Sequence, residues 1–269
     1  MFKRINFNIG FTIILFILLA TFFSSFISIS DPYEIQLSKG LAKPEWGHPF
    51  GFDKLGRDIL SRTLEGAKIS LLVGFSVVIV SVIIGTLIGT IAGYTGGLLD
   101  EIIMRITDIF LAFPGILLAI GLMSVLEPSV LNIIIALSTF GWVGYARLVR
   151  SQIMSLKERE FVIAAVAQGA THRRIFQSHL LTNITPSIII EASFGVAGNI
   201  LAEAGLSFLG LGIQPPMASW GNLLTNSHEL IFTAQWLAIF PGIAIILTVC
   251  AFNFLGEGLQ EALDPKAKF

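Results

Sequence analysis

Two glutamates, Glu191 and Glu203, interrupt the apolar segment 186–206 and are the residues best suited to chemistry inside a membrane. Burying a charged group at membrane depth is costly, so such residues are candidates for moving protons or ions. Glu191 is expected near the inner mouth of the segment. Glu203 is expected near its outer end, where it could reach the interface or pair with a partner subunit. Together with Ser207 and Trp220 they form the candidate pathway or gating residues.

Motifs for catalysis and metal binding are absent from the sequence. The chain has no Gly-x-x-x-x-Gly-Lys-Ser/Thr phosphate loop, so it is not expected to hydrolyse ATP itself. It also lacks His-Glu-x-x-His and Gly-x-Ser-x-Gly. His172 and His179 could share a helical face, but without a carboxylate or a cysteine they make a poor metal site. We therefore expect a non-catalytic protein without a cofactor or a metal.

The composition points to a protein that crosses a membrane several times. Of 269 residues, 54% are hydrophobic and only 13% are charged, with a mean hydropathy of +0.81. A soluble domain carries about a quarter charged residues. The net charge of −1 gives no general attraction to nucleic acid.

Six apolar segments are long enough to cross a bilayer, which takes about 20 residues. They predict an all-α bundle of six transmembrane helices, near residues 9–29, 70–95, 109–126, 129–146, 186–206 and 233–255. A cleaved signal peptide is the alternative for the first segment, although no Ala-x-Ala site follows it. Ile59, Leu60, Thr63 and Leu64 predict a short interfacial helix before the second segment, and a solvated loop with one amphipathic turn is the alternative. Pro114 is expected to kink the third.

The distribution of lysine and arginine favours an orientation with both termini in the cytoplasm. With the N-terminus inside, eleven of the seventeen basic residues lie on the cytoplasmic side. The other six all lie in the 31–69 loop, which argues in the opposite direction.

Three glycines in the second segment, Gly85, Gly89 and Gly93, recur every four residues. This spacing removes side chains from one helix face and lets another helix approach closely. The pattern predicts helix packing and no chemistry.

The loop 147–186 is predicted to fold as helix, glycine and helix. Ser155 and Glu158 fit a capping box. Gly169 suits the left-handed residue that ends a helix. Thr171 can cap a second short helix over 172–181, which ends before Pro186.

The first helix of this loop is small and apolar. Val162, Ala165, Val166 and Gly169 are predicted to share one face. Such a helix suits a groove in another protein. A helix lying on the lipid surface is the alternative, but the alanine-rich stretch lacks the bulky apolar residues that lipid binding requires.

Several motifs together resemble the C-type permease subunit of bacterial dipeptide, oligopeptide and nickel ATP-binding-cassette importers, within the family of binding-protein-dependent transport system inner membrane components. The likeness covers nearly the whole chain in the same order and spacing. The matching segments are Leu55-Gly56-Arg57-Asp58, Tyr145-Ala146-Arg147 with Arg150, Arg159-Glu160-Phe161-Val162 to Gly169-Ala170, Gly205-Leu206-Ser207-Phe208-Leu209-Gly210-Leu211-Gly212, Gln214-Pro215-Pro216 with Trp220-Gly221, and Ala262-Leu263-Asp264-Pro265.

The resemblance implies the type I importer transmembrane fold and a coupling helix that docks on an ATPase subunit. Ile163 stands at the position of the family's signature glutamate, and Thr182 stands where relatives often carry proline. The residues implied in coupling are Glu160, Phe161, Val162, Ala164, Ala165, Gly169 and Ala170.

The resemblance further implies a multi-pass subunit of the bacterial inner membrane. Its partners would be a second related permease, two cytoplasmic ATP-binding subunits and an extracytoplasmic solute-binding protein. Di- or oligopeptides are the expected substrate, and nickel or a nickel chelate is the alternative. An ion-coupled secondary carrier is a further alternative, but it would leave the docking loop unexplained. The expected division is an N-terminal helix and outer loop (1–68), a permease domain (69–257) and a cytoplasmic tail (258–269).

Overall fold

The computed structural model describes residues 3–28, 30–225 and 227–263, and all regular elements in these ranges are helical. The tail positions Asp264 and Pro265 lie outside the described residues. The eleven α-helices of the described ranges are α1 (Lys3–Phe22), α2 (Ser24–Ile27), α3 (Ile59–Thr95), α4 (Gly97–Leu111), α5 (Gly115–Met123), α6 (Val130–Lys157), α7 (Glu160–Ala167), α8 (His172–Ile175), α9 (Thr182–Phe208), α10 (Trp220–Leu224) and α11 (Trp236–Leu263). The prediction of an all-helical fold is confirmed for this part of the chain.

Five of the described helical segments are long and apolar enough to cross a membrane, or six if the bent pair α4 and α5 counts as one span. The pair is bent by 76° across a break just before Pro114, as the proline predicts. The prediction of a separate interfacial helix near Ile59 is wrong, because α3 runs unbroken from Ile59 to Thr95. Asp58 starts this long helix as its N-cap, accepting the Ser61 N–H at 2.8 Å.

The helices α3 and α6 form the closest pair in the bundle along the glycine stripe. A Cβ at Gly85 would lie 2.6 Å from the carbonyl oxygen of Trp142, and one at Gly93 would lie 2.8 Å from that of Arg150. Gly89, between them, faces the carbonyl of Ala146 just as closely. These three carbonyl oxygens are backbone atoms, so the three glycines set the distance between the two helices.

The loop of residues 30–58 is tied to the start of α3. The Asp53 carboxylate accepts the backbone N–H groups of Leu55 at 2.8 Å and Arg57 at 3.0 Å, and the Arg57 Nε–H at 2.7 Å. Gly56 has φ +71° and its α-carbon lies against the Gln36 carbonyl, so no side chain fits there. The Leu55-Gly56-Arg57-Asp58 segment therefore has a structural role here, because it holds this loop in place at the start of α3.

Contacts across the bundle define two ends. At one end, Trp236 Nε1–H donates to the carbonyl oxygen of Phe52 at 3.2 Å, which brings α11 to the 30–58 loop. At the other end, Lys157 Nζ donates to the carbonyl oxygen of Gly93 at 3.1 Å. The helix α9 connects the two ends, because its 27 residues span about 40 Å.

Candidate functional site

The α7–α8 hairpin, residues 158–175, starts directly after α6. The capping box predicted at Ser155 is wrong, because Ser155 lies inside α6, which continues to Lys157. The N-cap of α7 is Arg159, whose side chain makes no capping bond. The longer α6 is explained by its last turns, where Ile153 is buried and Lys157 is held by the Gly93 carbonyl.

Gly169 ends the α7 turn in the left-handed conformation, with φ +78°, as predicted. The Ala170 N–H donates to the carbonyl oxygen of Ala165 at 3.0 Å, which closes the hairpin. Thr171 caps α8 through the Arg174 N–H, and this prediction is also confirmed. The glycine and the threonine thus fix the angle between α7 and α8.

The second helix of the hairpin does not end before Pro186, so that prediction is wrong. A π-helical turn, Phe176–Leu181, joins α8 to α9, and α9 continues through Pro186. The proline lies in the first turns of α9, where the π-turn has already interrupted the regular hydrogen-bond ladder, so its missing N–H costs little. The hairpin is consequently continuous with α9.

The predicted shared face of α7 is only partly correct. Val162 is 3% exposed and packs with Ile153, Ile175 and Leu180, whereas Val166 is 56% exposed. The two valines differ because Val166 lies one turn further along α7, beyond this cluster. Val162 therefore anchors the hairpin from within and is not available to a partner.

The rest of α7 carries exposed apolar side chains, and this surface we call the docking patch. Its members are Phe161, Ile163, Ala164, Val166 and Ala167. Phe161 is 43% exposed and Ile163 is 55% exposed. Glu160 and Gly169 are exposed beside the patch, while Ala165 and Ala170 are half-buried behind it. A contiguous apolar patch on a short exposed hairpin is typical of a surface covered by another protein.

Replacing Val162 with alanine is expected to loosen the hairpin. The change removes buried methyl groups and leaves a cavity in the cluster, at a cost of about 2 kcal/mol. The expected result is faster protease cleavage within residues 158–171 of the purified subunit. Val166→Ala is the matched control, because Val166 is exposed. Equal cleavage rates in the two variants would contradict the anchoring role of Val162.

The histidines and arginines near the hairpin hold helices together. His172 Nδ1 pairs with the hydroxyl of Tyr94 on α3, and the His179 ring lies 6.1 Å from the Phe161 ring. Arg150 forms a two-bond ion pair with Asp100 of α4. Arg147 forms an ion pair with Asp108 through one hydrogen bond across the α4–α6 contact. These pairs fix α4 beside α6, next to the hairpin.

Glu203 lies at the centre of a buried polar cluster, whereas the sequence suggested that it could reach the interface or pair with a partner subunit. It is 0% exposed. Ser70 of α3 donates to its Oε2 at 3.0 Å, and Ser207 at the end of α9 donates to its Oε1 at 2.7 Å. Ser219, the N-cap of α10, lies close enough to the same carboxyl group to interact with it. Glu203 therefore meets its partners within the chain.

Trp220 adds a further bond between α10 and α3. Its indole N–H donates to the carbonyl oxygen of Thr63 at 3.0 Å, and its side chain is buried. A Cβ at Gly221 would lie 2.5 Å from Cα of Ala204, so α10 and α9 touch backbone to backbone. Three of the four candidate pathway residues, Glu203, Ser207 and Trp220, thus belong to one tightly packed junction.

Glu191 is separate from this junction. It is exposed on α9, one turn before Gly195, and it acts electrostatically on the Tyr145 hydroxyl. That hydroxyl is buried over Gly195 and has no hydrogen-bond partner in the described part of the chain. Glu191 is thus the candidate that remains open to a pathway or to another subunit.

Sequence reasoning missed two members of the junction, Ser70 and Ser219. Ser70 lies at the start of the second apolar segment, 133 residues before Glu203, and Ser219 lies in the loop that follows α9. The available signal was a buried carboxyl group, which requires polar partners. The sequence does not reveal which serines supply them.

Comparison with known proteins shows that the chain is similar in sequence to membrane permeases. Residues 85–269 match the family described as binding-protein-dependent transport system inner membrane component. The dipeptide transport system permease protein DppC of Alkalihalophilus pseudofirmus is 44% identical over 99% of this chain and 89% of its own length. That of Bacillus subtilis is 42% identical over 96% of this chain and 81% of its own. The glutathione transport system permease protein GsiD of Escherichia coli O6:K15:H31 is 42% identical over 97% of this chain and 88% of its own.

Proposed function

The chain belongs to the family of binding-protein-dependent transport system inner membrane components, and from this membership we propose that it forms half of the translocation pathway of a di- or oligopeptide importer. It is a multi-pass membrane protein and a permease subunit of an ATP-binding-cassette importer that works with other subunits of that system. The energy for transport would come from ATP hydrolysis on partner subunits.

The docking patch is the observation that supports this proposal. An exposed apolar helix, held from behind by Val162 and joined to both α6 and α9, suits the groove of an ATPase subunit. Closure of the ATPase would displace α7 and tilt the two helices attached to it. The transport pathway would alternate between an inward-facing and an outward-facing state. ATP can shift the equilibrium between these two states only through its different affinity for them. In this role Phe161, Ala164 and their neighbours touch the partner.

The proposed assembly contains this permease, a second related permease, two ATP-binding subunits and an extracytoplasmic solute-binding protein. The chain would lie in the bacterial inner membrane with both termini in the cytoplasm. The α7–α8 hairpin would then also lie on the cytoplasmic side, where ATP is present. Its proposed division is a first helix and outer loop (1–68), a permease domain (69–257) and a tail (258–269).

Peptides are the proposed substrate because the relatives are named for dipeptide and glutathione transport. These names do not favour nickel. The ion-coupled carrier is also disfavoured, because Glu203 is enclosed by serines and only Glu191 is open. Glu191 is the proposed pathway residue of this subunit.

The direct test is purification of the complex in mild detergent, followed by reconstitution into lipid vesicles. The expected result is that ATPase subunits copurify and that labelled dipeptide enters only with ATP and the solute-binding protein. Competition by glutathione and by nickel would then rank the substrates. Uptake driven by a proton gradient without ATPase subunits would reject the proposal.

A further inference from the structure

The hydrogen bonds around Glu203 run in one direction. The Ser70 hydroxyl oxygen accepts the Trp220 backbone N–H at 3.1 Å, and the Ser207 hydroxyl oxygen accepts the Ile213 backbone N–H at 3.1 Å. Each serine therefore accepts from the segment that follows α9 and donates its own hydrogen to Glu203. The carboxyl group terminates two chains of bonds that both begin in the segment after α9.

The segment after α9, residues 209–225, is also closed upon itself and upon α9. Asn222 Nδ2 donates to the carbonyl oxygen of Ile213 at 2.7 Å. Thr225 Oγ1 donates to the carbonyl oxygen of Ser207 at 3.0 Å. The segment is thus a small folded unit, which we call the outer segment. Its polar attachment to α3 passes through Ser70 and Trp220.

Close packing makes this attachment depend on the carboxyl group. A Cβ at Gly66 would lie 3.2 Å from the backbone of Ser219, so α3 and the outer segment are in direct contact. Ser70, Ser219 and Glu203 are each 0% exposed. Because water is excluded, a serine that loses this acceptor must either turn its hydroxyl to a carbonyl of its own helix or stay unsatisfied, and an unsatisfied buried polar group is costly.

We propose that Glu203 is a positioning residue of the transport cycle, which fastens the outer segment to α3 and α9 so that it follows α9 when the α7–α8 hairpin is displaced. The proposal rests on the proposed function, since it needs a motor acting on the hairpin. α9 follows the hairpin after the π-helical turn and ends at Phe208, directly after Ser207, so one helix joins the two places. The carboxyl group then transmits the movement of α9 to the far end of the bundle.

The first experiment measures substrate transported per ATP hydrolysed, using the complete complex in lipid vesicles. Glu203→Gln keeps the size of the side chain but turns one acceptor into a donor that faces a serine hydrogen. Transport per ATP is expected to fall about tenfold, the size expected for one lost buried hydrogen bond. Ser70→Ala should act in the same direction.

Ser193→Ala is the matched control for Ser70→Ala. Ser193 is a buried serine on α9 whose hydroxyl donates only to its own helix, at the carbonyl oxygen of Ile189. Transport per ATP should be unchanged in this variant. A merely structural role for Glu203 would lower uptake and ATP hydrolysis by the same factor and leave the ratio constant.

The second experiment measures the outer segment directly, by thiol labelling of Leu223→Cys in a Cys250→Ser background. Labelling by a membrane-impermeant maleimide is expected to be several-fold faster when Glu203→Gln is also present, because α10 is less tightly held. Ser70→Ala should accelerate labelling, and Ser193→Ala should not.

An unchanged ratio of transport to hydrolysis, or an unchanged labelling rate, would overturn the proposal. If Glu203→Gln does not accumulate in the membrane, Ser70→Ala and Ser193→Ala decide, and equal behaviour of these two also overturns it. Failure of the proposed function is seen separately, as lack of ATP-dependent uptake by the unmodified complex. The labelling comparison still reports whether Glu203 holds α10 in that case.

Discussion

Replacement of Phe161 by aspartate is expected to reduce ATP-driven uptake by more than about tenfold, because a buried aromatic anchor at an interface is worth about 2 kcal/mol or more. Phe161 is exposed in the isolated chain, so the change removes little packing within the subunit. It places a charge on the docking patch, where a partner would have to desolvate it. Uptake into vesicles and the amount of copurified ATPase subunit measure the effect.

Ile163→Glu is the control for this prediction. It introduces a charge on the same helix, but at the position to which the family resemblance assigns the signature glutamate. We expect uptake and copurification to remain near those of the unmodified chain. Loss in both variants would show that any charge on α7 is harmful. Normal uptake with Phe161→Asp would remove the docking patch from the mechanism.

The largest effect on folding is expected from Gly89→Leu. Gly89 faces the carbonyl oxygen of Ala146, and its Cβ would lie 3.0 Å from the Val149 Cβ. The backbone of α6 cannot turn away as a side chain can, so α3 and α6 must separate. Overpacking costs about 1–3 kcal/mol for a few added methylenes, and more when backbone must move. We expect a large loss of correctly folded subunit in the membrane.

Gly144→Leu tests whether the position of the glycine matters. Gly144 lies on α6, and no atom comes within 4 Å of the position of its Cβ. The isolated subunit should fold normally with leucine there. Elution of the detergent-solubilised protein as a single symmetrical peak, before and after heating, measures both variants. Equal behaviour would mean that the α3–α6 contact does not limit stability.

The membrane helices could be predicted from sequence because long apolar segments in this chain are stable only as helices that cross the membrane. The break at Pro114 and the left-handed Gly169 were also predictable, since each rests on the backbone of a single residue. The ends of helices were harder. Ser155 resembles a cap, but the packing of α6 against α3 continues past it, and tertiary packing overrides the local signal.

The candidate site was predictable in part for the same reason. The small apolar helix at 160–167 and its closing glycine are local features, so they could be located. Which side of α7 is buried depends on a cluster that α7 forms with Val149 and Ile153 of α6 and with α9. These parts of the cluster are distant from one another along the chain. The environment of Glu203 depends on α3 and α10 together. Such long-range placement is not contained in any short window of sequence.

The 76° bend between α4 and α5 has a consequence for where this subunit can exist. Residues 111–115 around the bend are exposed in the single chain, and Pro114 has no N–H to contribute. Hydrocarbon offers no hydrogen bonds to an interrupted backbone, so such a bend persists only against a neighbouring chain or an aqueous space. One flank of the lone subunit is accordingly unsuited to lipid, and solitary copies would be poorly solvated in a bilayer.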